Sequence, residues 1–319
     1  MTLAASKRVV RGAALAAALV LSCAPAQAPR PPKVRGEMVV STDWLASWLG
    51  RPEVAVLHVG AGPSAQEEYD TGHIPGARLV LFGDIAAPRG GVSNEIPPAE
   101  SLAALSRRVG IAPRGRIVVY DTSTGLMAAR AYVVLDYMGL GDRTSILDGH
   151  LKKWKAENRL LSTTAPEAPP GAFVPRPRPE IVVPIAVMRD LSWIKEREPG
   201  SPFELIDSRA EPFFTGAEPA SGPMRPGRIP GATNLYWMSQ IAGAENPVLK
   251  PVAELRAMYE SAGVSPGEMI VAYCNSGVQA SHIYVVAKYL GYDVRLYDGS
   301  YSEWSADPNA PIATGPVSR

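Results

Sequence analysis

The chain has 319 residues, 46% hydrophobic and 20% charged, with 32 Lys+Arg against 31 Asp+Glu. At about 150 residues per domain this length predicts two domains, and the apolar fraction is ample for packed cores, which excludes a disordered chain. The balanced charge lacks the basic footprint of a nucleic-acid binder, and only two cysteines, Cys23 and Cys274, exclude a disulfide-rich scaffold and a multi-cysteine metal site.

Residues 1–11 carry Lys7, Arg8 and Arg11 with no acid, and residues 12–21 are apolar. This is a basic region followed by an apolar run too short to span a bilayer, so residues 1–28 read as a signal peptide. Two cleavage readings stand. Ala26-Gln27-Ala28 fits a small-x-small site, whereas Val20-Leu21-Ser22-Cys23 resembles a bacterial lipobox that would make Cys23 the lipidated first residue. Either one predicts export, to the periplasm or to a lipid anchor on a bacterial membrane, with Cys23 the sole membrane attachment. Either one also leaves Cys274 as the only free thiol in an oxidising compartment.

Residues 29–36 read as an extended spacer. Residues 43–49 have the spacing of a short amphipathic helix, and Ala55-Val56-Leu57-His58-Val59 is a buried strand. Gly72-His73-Ile74-Pro75-Gly76-Ala77 is a turn, residues 101–109 a helix, residues 116–120 a strand and residues 127–138 a helix. Leu147-Asp148-Gly149-His150 closes the unit. Residues 163–184 contain Pro166, Pro169, Pro170, Pro175, Pro177, Pro179 and Pro184, the composition of a semi-rigid linker.

The same plan then recurs. Residues 203–206 are the early strand, Gly227-Arg228-Ile229-Pro230-Gly231-Ala232 the turn and residues 252–262 the helix. Residues 269–273 form a strand, a helix runs from about Ala280 to Leu290, and Leu296-Tyr297-Asp298-Gly299-Ser300 closes the copy. Gly72 and Gly227, Asp121 and Cys274, and Asp148 and Asp298 are 155, 153 and 150 residues apart, a near-constant offset that argues for duplication. Domains are expected over residues 37–162 and 185–314. Alternating strands and helices predict an α/β fold in which each domain has a mostly parallel sheet with helices on both faces.

The chemistry centres on Cys274-Asn275-Ser276-Gly277-Val278-Gln279, between a strand and a helix. Ligands bind at the carboxyl ends of strands in such sheets. A loop turned by Gly277 can aim successive main-chain N–H groups, together with the helix N-terminus, at one centre. That setting suits a nucleophilic sulfur, held and reachable at the mouth between the two halves. The competing reading is a buried cysteine acting as a small hydrophobe; the polar residues that follow it argue against that.

With these residues the chain resembles the tandem-domain rhodanese-type sulfurtransferases, the family of thiosulfate and 3-mercaptopyruvate sulfurtransferases. The resemblance covers about residues 39–311. It is carried by the two Ile-Pro-Gly-Ala turns, by Asp207-Ser208-Arg209, by the Cys274 loop and by Tyr297-Asp298-Gly299-Ser300-Tyr301-Ser302-Glu303-Trp304. It implies two rhodanese-like domains, the second catalytic and the first inactive, because Asp121 stands where the cysteine would be. It also implies transfer of a sulfane sulfur from a small-molecule donor to a thiophilic acceptor such as cyanide or a thiol, through a Cys274 persulfide cradled by Asn275, Ser276, Gly277, Val278 and Gln279. No cofactor or metal is implied, and no nucleic-acid partner.

The loop is closer to the mercaptopyruvate pattern Cys-Gly-Ser-Gly-Val-Thr than to the thiosulfate pattern with a cation after the cysteine, but it departs at Asn275 and Gln279. Pro212-Phe213-Phe214 lacks the second arginine common in mercaptopyruvate enzymes, which leaves Arg209 as the candidate for a substrate carboxylate or as a structural partner of Asp207. Ser276 is a candidate for proton transfer or for turn formation. His73 resembles a family histidine of a serine relay, though packing of its turn is the plainer role. Arg228 replaces the family's usual histidine of the second turn and is a candidate for positive charge near the cleft, with a solvated surface arginine the plainer role; His282 reads as a surface or interdomain residue, and Trp154 and Trp304 as core or interdomain packing residues. A cysteine phosphatase or arsenate reductase is disfavoured because the loop lacks the arginine of Cys-x5-Arg, with Ala280 at that place. A non-catalytic sulfur-carrying or thiol-sensing module is the alternative function.

Overall fold

Two all-parallel sheets frame the protein. The computed structural model describes residues 31–167, 171, 173–219 and 222–316 together with Thr2. Apart from Thr2, the signal-peptide reading and both cleavage sites lie outside the described residues.

The N-terminal half contains β1 (Val39–Val40), β2 (Val54–Gly60), β3 (Ala77–Leu81), a hairpin of β4 (Ala87–Arg89) and β5 (Val92–Glu95), then β6 (Arg116–Asp121) and β7 (Thr144–Leu147). Its sheet runs β1-β7-β6-β2-β3, every pair parallel. Its helices are α1 (Thr42–Trp48), α2 (Ala65–Thr71), α3 (Phe82–Ile85), α4 (Ala99–Arg108), α5 (Leu126–Tyr137) and α6 (His150–Ala156). The C-terminal half contains β8 (Phe203–Asp207), β9 (Thr233–Asn234), β10 (Met269–Tyr273) and β11 (Asp293–Leu296), parallel in the order β11-β10-β8-β9. Its helices are α7 (Ile185–Arg197), α8 (Glu211–Thr215), α9 (Val252–Ser261), α10 (Val278–Leu290) and α11 (Ser300–Ala306).

Strand alternation divides the core. Ile117 and Val119 join a large cluster that also holds Ile270, Ala272 and Cys274 and the facing residues of α5 and α10. The intervening Val118 and Tyr120 pack with Trp154 on the other face, and Val271 and Tyr273 pack with Trp304. A period of two thus sends one face of each sheet toward the other half and the opposite face under its own closing helix. Both closing tryptophans are core residues, as expected. Trp154 Nε1 donates to Leu160 O and Trp304 Nε1 to Pro311 O, at 2.9 and 2.8 Å.

The duplication extends to individual hydrogen bonds. Gly76 and Gly231 have φ of +78° and +79°, as the third residue of an Ile-Pro-Gly-Ala turn requires. Ala77 N donates to Ile74 O and Ala232 N to Ile229 O. Each turn is held from below by a buried tyrosine hydroxyl, which accepts Ile74 N on Tyr120 and Ile229 N on Tyr273.

Candidate active site

Ile270 and Ala272 on β10, and Cys274 directly after it, belong to the apolar cluster shared with the other half, so the cysteine is packed on the side of the sheet that turns toward that half. Gly277, at φ +81°, caps α10, which begins at Val278, two residues earlier than the sequence pattern suggested. Val278 and Gln279 therefore belong to the first helical turn. The N–H groups of Val278, Gln279 and Ala280 have no intrahelical acceptor there.

Cys274 is only 1% exposed, while Asn275, Ser276, Val278 and Gln279 are each partly exposed. The sulfur is thus more enclosed than expected, lying beneath its loop. Its surroundings also differ in a second way. Ser276 N donates to Cys274 Sγ at 3.4 Å, but Cys274 N and Gly277 N turn instead to Ser300 Oγ, at 3.2 and 2.9 Å. Ser300 Oγ donates in turn to Tyr297 O at 2.8 Å. Ser300 holds φ at +55°, a left-handed conformation that costs a serine energy and is maintained here by these three bonds. Its role was not evident in the sequence, where it stood only as the end of a closing motif.

The first half shows the same cradle occupied. Asp121 Oδ1 accepts Ser123 N and Gly125 N at 2.9 and 3.0 Å, and Oδ2 accepts Met127 N and Ala128 N at 3.0 and 3.2 Å. Gly125, with φ +88°, caps α5 as Gly277 caps α10. Met127 and Ala128 are therefore the counterparts of Gln279 and Ala280. Four amides at this place in the fold bind carboxylate oxygens that lie two bonds beyond a Cβ.

A side chain from the other half also reaches the loop. Asn94, on β5, donates from Nδ2 to Ser276 Oγ at 2.9 Å. His73 does not reach it: its ring stacks on Tyr69 with centroids 3.8 Å apart, and Nδ1 lies 2.7 Å from Tyr69 O. His73 packs its turn, and the residue facing Ser276 is an amide.

Arg209 is buried and gripped by Asp207, with Nε 2.9 Å from Oδ1 and Nη2 2.6 Å from Oδ2. Nη2 also donates to Gly227 O at 2.7 Å, and Nη1 reaches Asn275 Oδ1 at 3.5 Å. Burial works against its charge, but the adjacent Asp207 carboxylate outweighs this and holds the guanidinium protonated. Of the two roles weighed for it, the ion pair is formed in the structure, and the guanidinium lies directly behind the loop. Arg228 is not a solvated arginine: it is buried over the Phe214 ring at 4.6 Å and donates to Gly315 O at 2.6 Å. His282 is interdomain but not superficial. It is buried against Trp237, and with His150 it lines a cavity of ≈ 20 Å³ between the halves.

The rhodanese-like domain family matches this chain twice, over residues 41–157 and 190–307. The chain belongs to the rhodanese family. This tandem rhodanese is 35% identical over 292 residues to the "Sulfur carrier protein TtuD" of Thermus thermophilus, covering 88% of this chain and 97% of that one. It is 33% identical over 285 residues to the 3-mercaptopyruvate sulfurtransferase of Escherichia coli, covering 86% and 96%. Its fold matches the crystal structure of SseA from Escherichia coli with a TM-score of 0.71 and 29% identity, over 83% of this chain and 98% of that one.

Proposed function

We propose that this rhodanese is a sulfurtransferase that carries sulfur on Cys274 as a persulfide. The observation that carries the reading is the occupied cradle around Asp121. The terminal sulfur of a persulfide, like a carboxylate oxygen, lies two bonds beyond Cβ and bears negative charge. Amides that bind the Asp121 carboxylate in one half would bind that sulfur in the other, through Ser276 N and the free first-turn N–H groups of Gln279 and Ala280.

The reaction is two-step covalent catalysis. The Cys274 thiolate attacks the sulfane or thiol sulfur of the donor and the new S–S bond forms. With thiosulfate, the donor's S–S bond breaks and sulfite leaves with the electron pair. With 3-mercaptopyruvate, the C–S bond breaks, and the enolate of pyruvate leaves and takes up a proton. An acceptor, cyanide or a thiolate, then attacks the outer sulfur of the persulfide and returns the Cys274 thiolate. The Asp121 half cannot carry sulfur, because a carboxylate has no sulfur to form the bond.

The test is a donor panel of thiosulfate, 3-mercaptopyruvate and polysulfide with turnover measured for wild type and Cys274→Ser. Repeated turnover that vanishes in Cys274→Ser supports the enzyme. The name of the Thermus relative favours a second reading, sulfur carriage without turnover, which would stop at one equivalent of sulfur per chain. Export of the mature chain, to the periplasm or to a lipid anchor at Cys23, belongs to the same proposal. The mass of the N-terminal peptide of cell-derived protein tests it, and an intact Met1 in a cytoplasmic fraction would contradict it.

A further inference from the structure

Arg130 belongs to the half without the cysteine, yet it is paired with Asp298, which stands against the Cys274 loop at Gly277. It lies on α5, is 0% exposed, and all three of its guanidinium nitrogens are in use. Nη1 donates to Asp298 Oδ1 at 2.5 Å, across the domain boundary. Nη2 donates to Asn94 O at 2.5 Å and Nε to Ile85 O at 3.1 Å. Asp298 in turn accepts Ile96 N on Oδ2 at 2.6 Å. The ion pair therefore fixes the main chain on both sides of Glu95, and with it the place from which the Asn94 side chain holds Ser276. On its other side the pair walls in Gly277. A Cβ built on Gly277 would stand 2.6 Å from Asp298 Oδ1, 2.8 Å from Asp298 O and 3.3 Å from Arg130 Nη1.

We propose that Arg130 is a positioning residue for sulfur transfer: through Asp298 and Asn94, the domain that carries no sulfur sets the conformation of the loop that does. This rests on the Cys274 reading above. The three acceptors are reached from Nε, Nη1 and Nη2, spread over the width of the guanidinium, so the single nitrogen of a lysine keeps the charge but not this spacing. The alternative is that Arg130 merely bolts the two halves together. The same helix pair offers the control, because Tyr284 on α10 donates to Asp136 Oδ2 on α5 at 2.7 Å. That bond also crosses the boundary, but it makes no contact with the loop.

The experiment compares wild type with Arg130→Lys, Asn94→Ala and Tyr284→Phe. It reads the single-turnover rate of persulfide formation, the donor KM, the rate of Cys274 alkylation by iodoacetamide and the Tm. A positioning role predicts at least about a tenfold fall in the single-turnover rate for Arg130→Lys with donor KM within about twofold, the pattern of a lost transition-state interaction. Asn94→Ala should fall in the same sense with little change in Tm, which keeps the test open if Arg130→Lys does not fold. Tyr284→Phe should lower Tm and leave the rate unchanged. Arg130→Lys and Asn94→Ala both at wild-type rates, or a rate that follows Tm alike in Arg130→Lys and Tyr284→Phe, overturns the proposal. If wild type takes up no sulfur, the sulfurtransfer reading fails, while alkylation of Cys274 still decides whether Arg130 positions the loop.

Discussion

Asp121, at the end of β6, and Cys274, directly after β10, stand at matching places before their loops, but the Asp121 carboxylate is bound by four main-chain amides and the Cys274 sulfur by one, that of Ser276. The first half thus fills with a side-chain carboxyl group a site that the second half leaves largely free. Asp121→Ala would strip the acceptor from the Ser123, Gly125, Met127 and Ala128 amides. It should cost on the order of 3 kcal/mol of stability, read as a lower urea midpoint, because buried donors left without partners bear the full desolvation penalty. An unchanged midpoint would mean that the cradle does not favour an anion.

Gly277 and Gly267 both sit at positive φ, +81° and +92°, but only Gly277 is crowded, while nothing lies within 4 Å of a Cβ built on Gly267. Alanine at either position should cost about 1 kcal/mol in backbone strain. Gly277→Ala should also displace Asp298 and lower sulfur transfer at least about tenfold, whereas Gly267→Ala should keep it. Equal activity in the two variants would show that the Gly277–Asp298 contact does not set the loop.

Periodicity and turn residues were enough to read most of the fold. The Ile-Pro-Gly-Ala turns, the apolar runs of β6 and β10 and the spacing of α4 and α9 are local signals, and the structure follows them within a residue or two. The β4–β5 hairpin was not legible, because Gly90-Gly91 marks a turn but Ala87-Pro88-Arg89 and Val92-Ser93-Asn94-Glu95 lack strand alternation. Within the site, Cys274 and its loop were legible from the strand-to-helix junction. Asn94, Arg130, Asp298 and Ser300 were not, since their partners lie 182, 168, 168 and up to 26 residues away in sequence. Arg228 was misread because an arginine in a turn ordinarily faces water, while here Phe214 and Gly315 O enclose it.

Two buried histidines give the protein an acid-sensitive stability. Burial, reinforced by His73, lowers His58 to about 4, and burial, reinforced by His150, lowers His282 to about 3. In the unfolded chain both titrate near ~6.5. Below that pH the unfolded state binds protons that the native state refuses, so stability falls as pH drops from 6.5 toward 4. The limiting slope is about 1.4 kcal/mol per pH unit for each histidine. Urea midpoints at pH 7, 6 and 5 should decline, and less steeply in His58→Asn. A flat profile in wild type would show that these two sites do not govern the acid limb.

Asp136, fully buried on α5, is bound by three groups: Lys288 Nζ, Tyr284 Oη at 2.7 Å and Arg178 Nη1 at 2.7 Å. Burial pulls Lys288 down and Asp136 pushes it back up. Asp136→Ala strands a buried ammonium and should cost about 3–5 kcal/mol, while Asp136→Ala combined with Lys288→Met should recover part of that loss. A double variant no more stable than Asp136→Ala alone would show that the pair is not coupled.

The most direct measurement is the intact mass of the purified protein after incubation with each sulfur donor, before and after cyanide, with Cys274→Ser alongside. Transfer through a persulfide should add one sulfur atom, about 32 Da, located on Cys274, removed by cyanide and missing in the variant. No gain with thiosulfate, 3-mercaptopyruvate or polysulfide, or the same gain in Cys274→Ser, would contradict it.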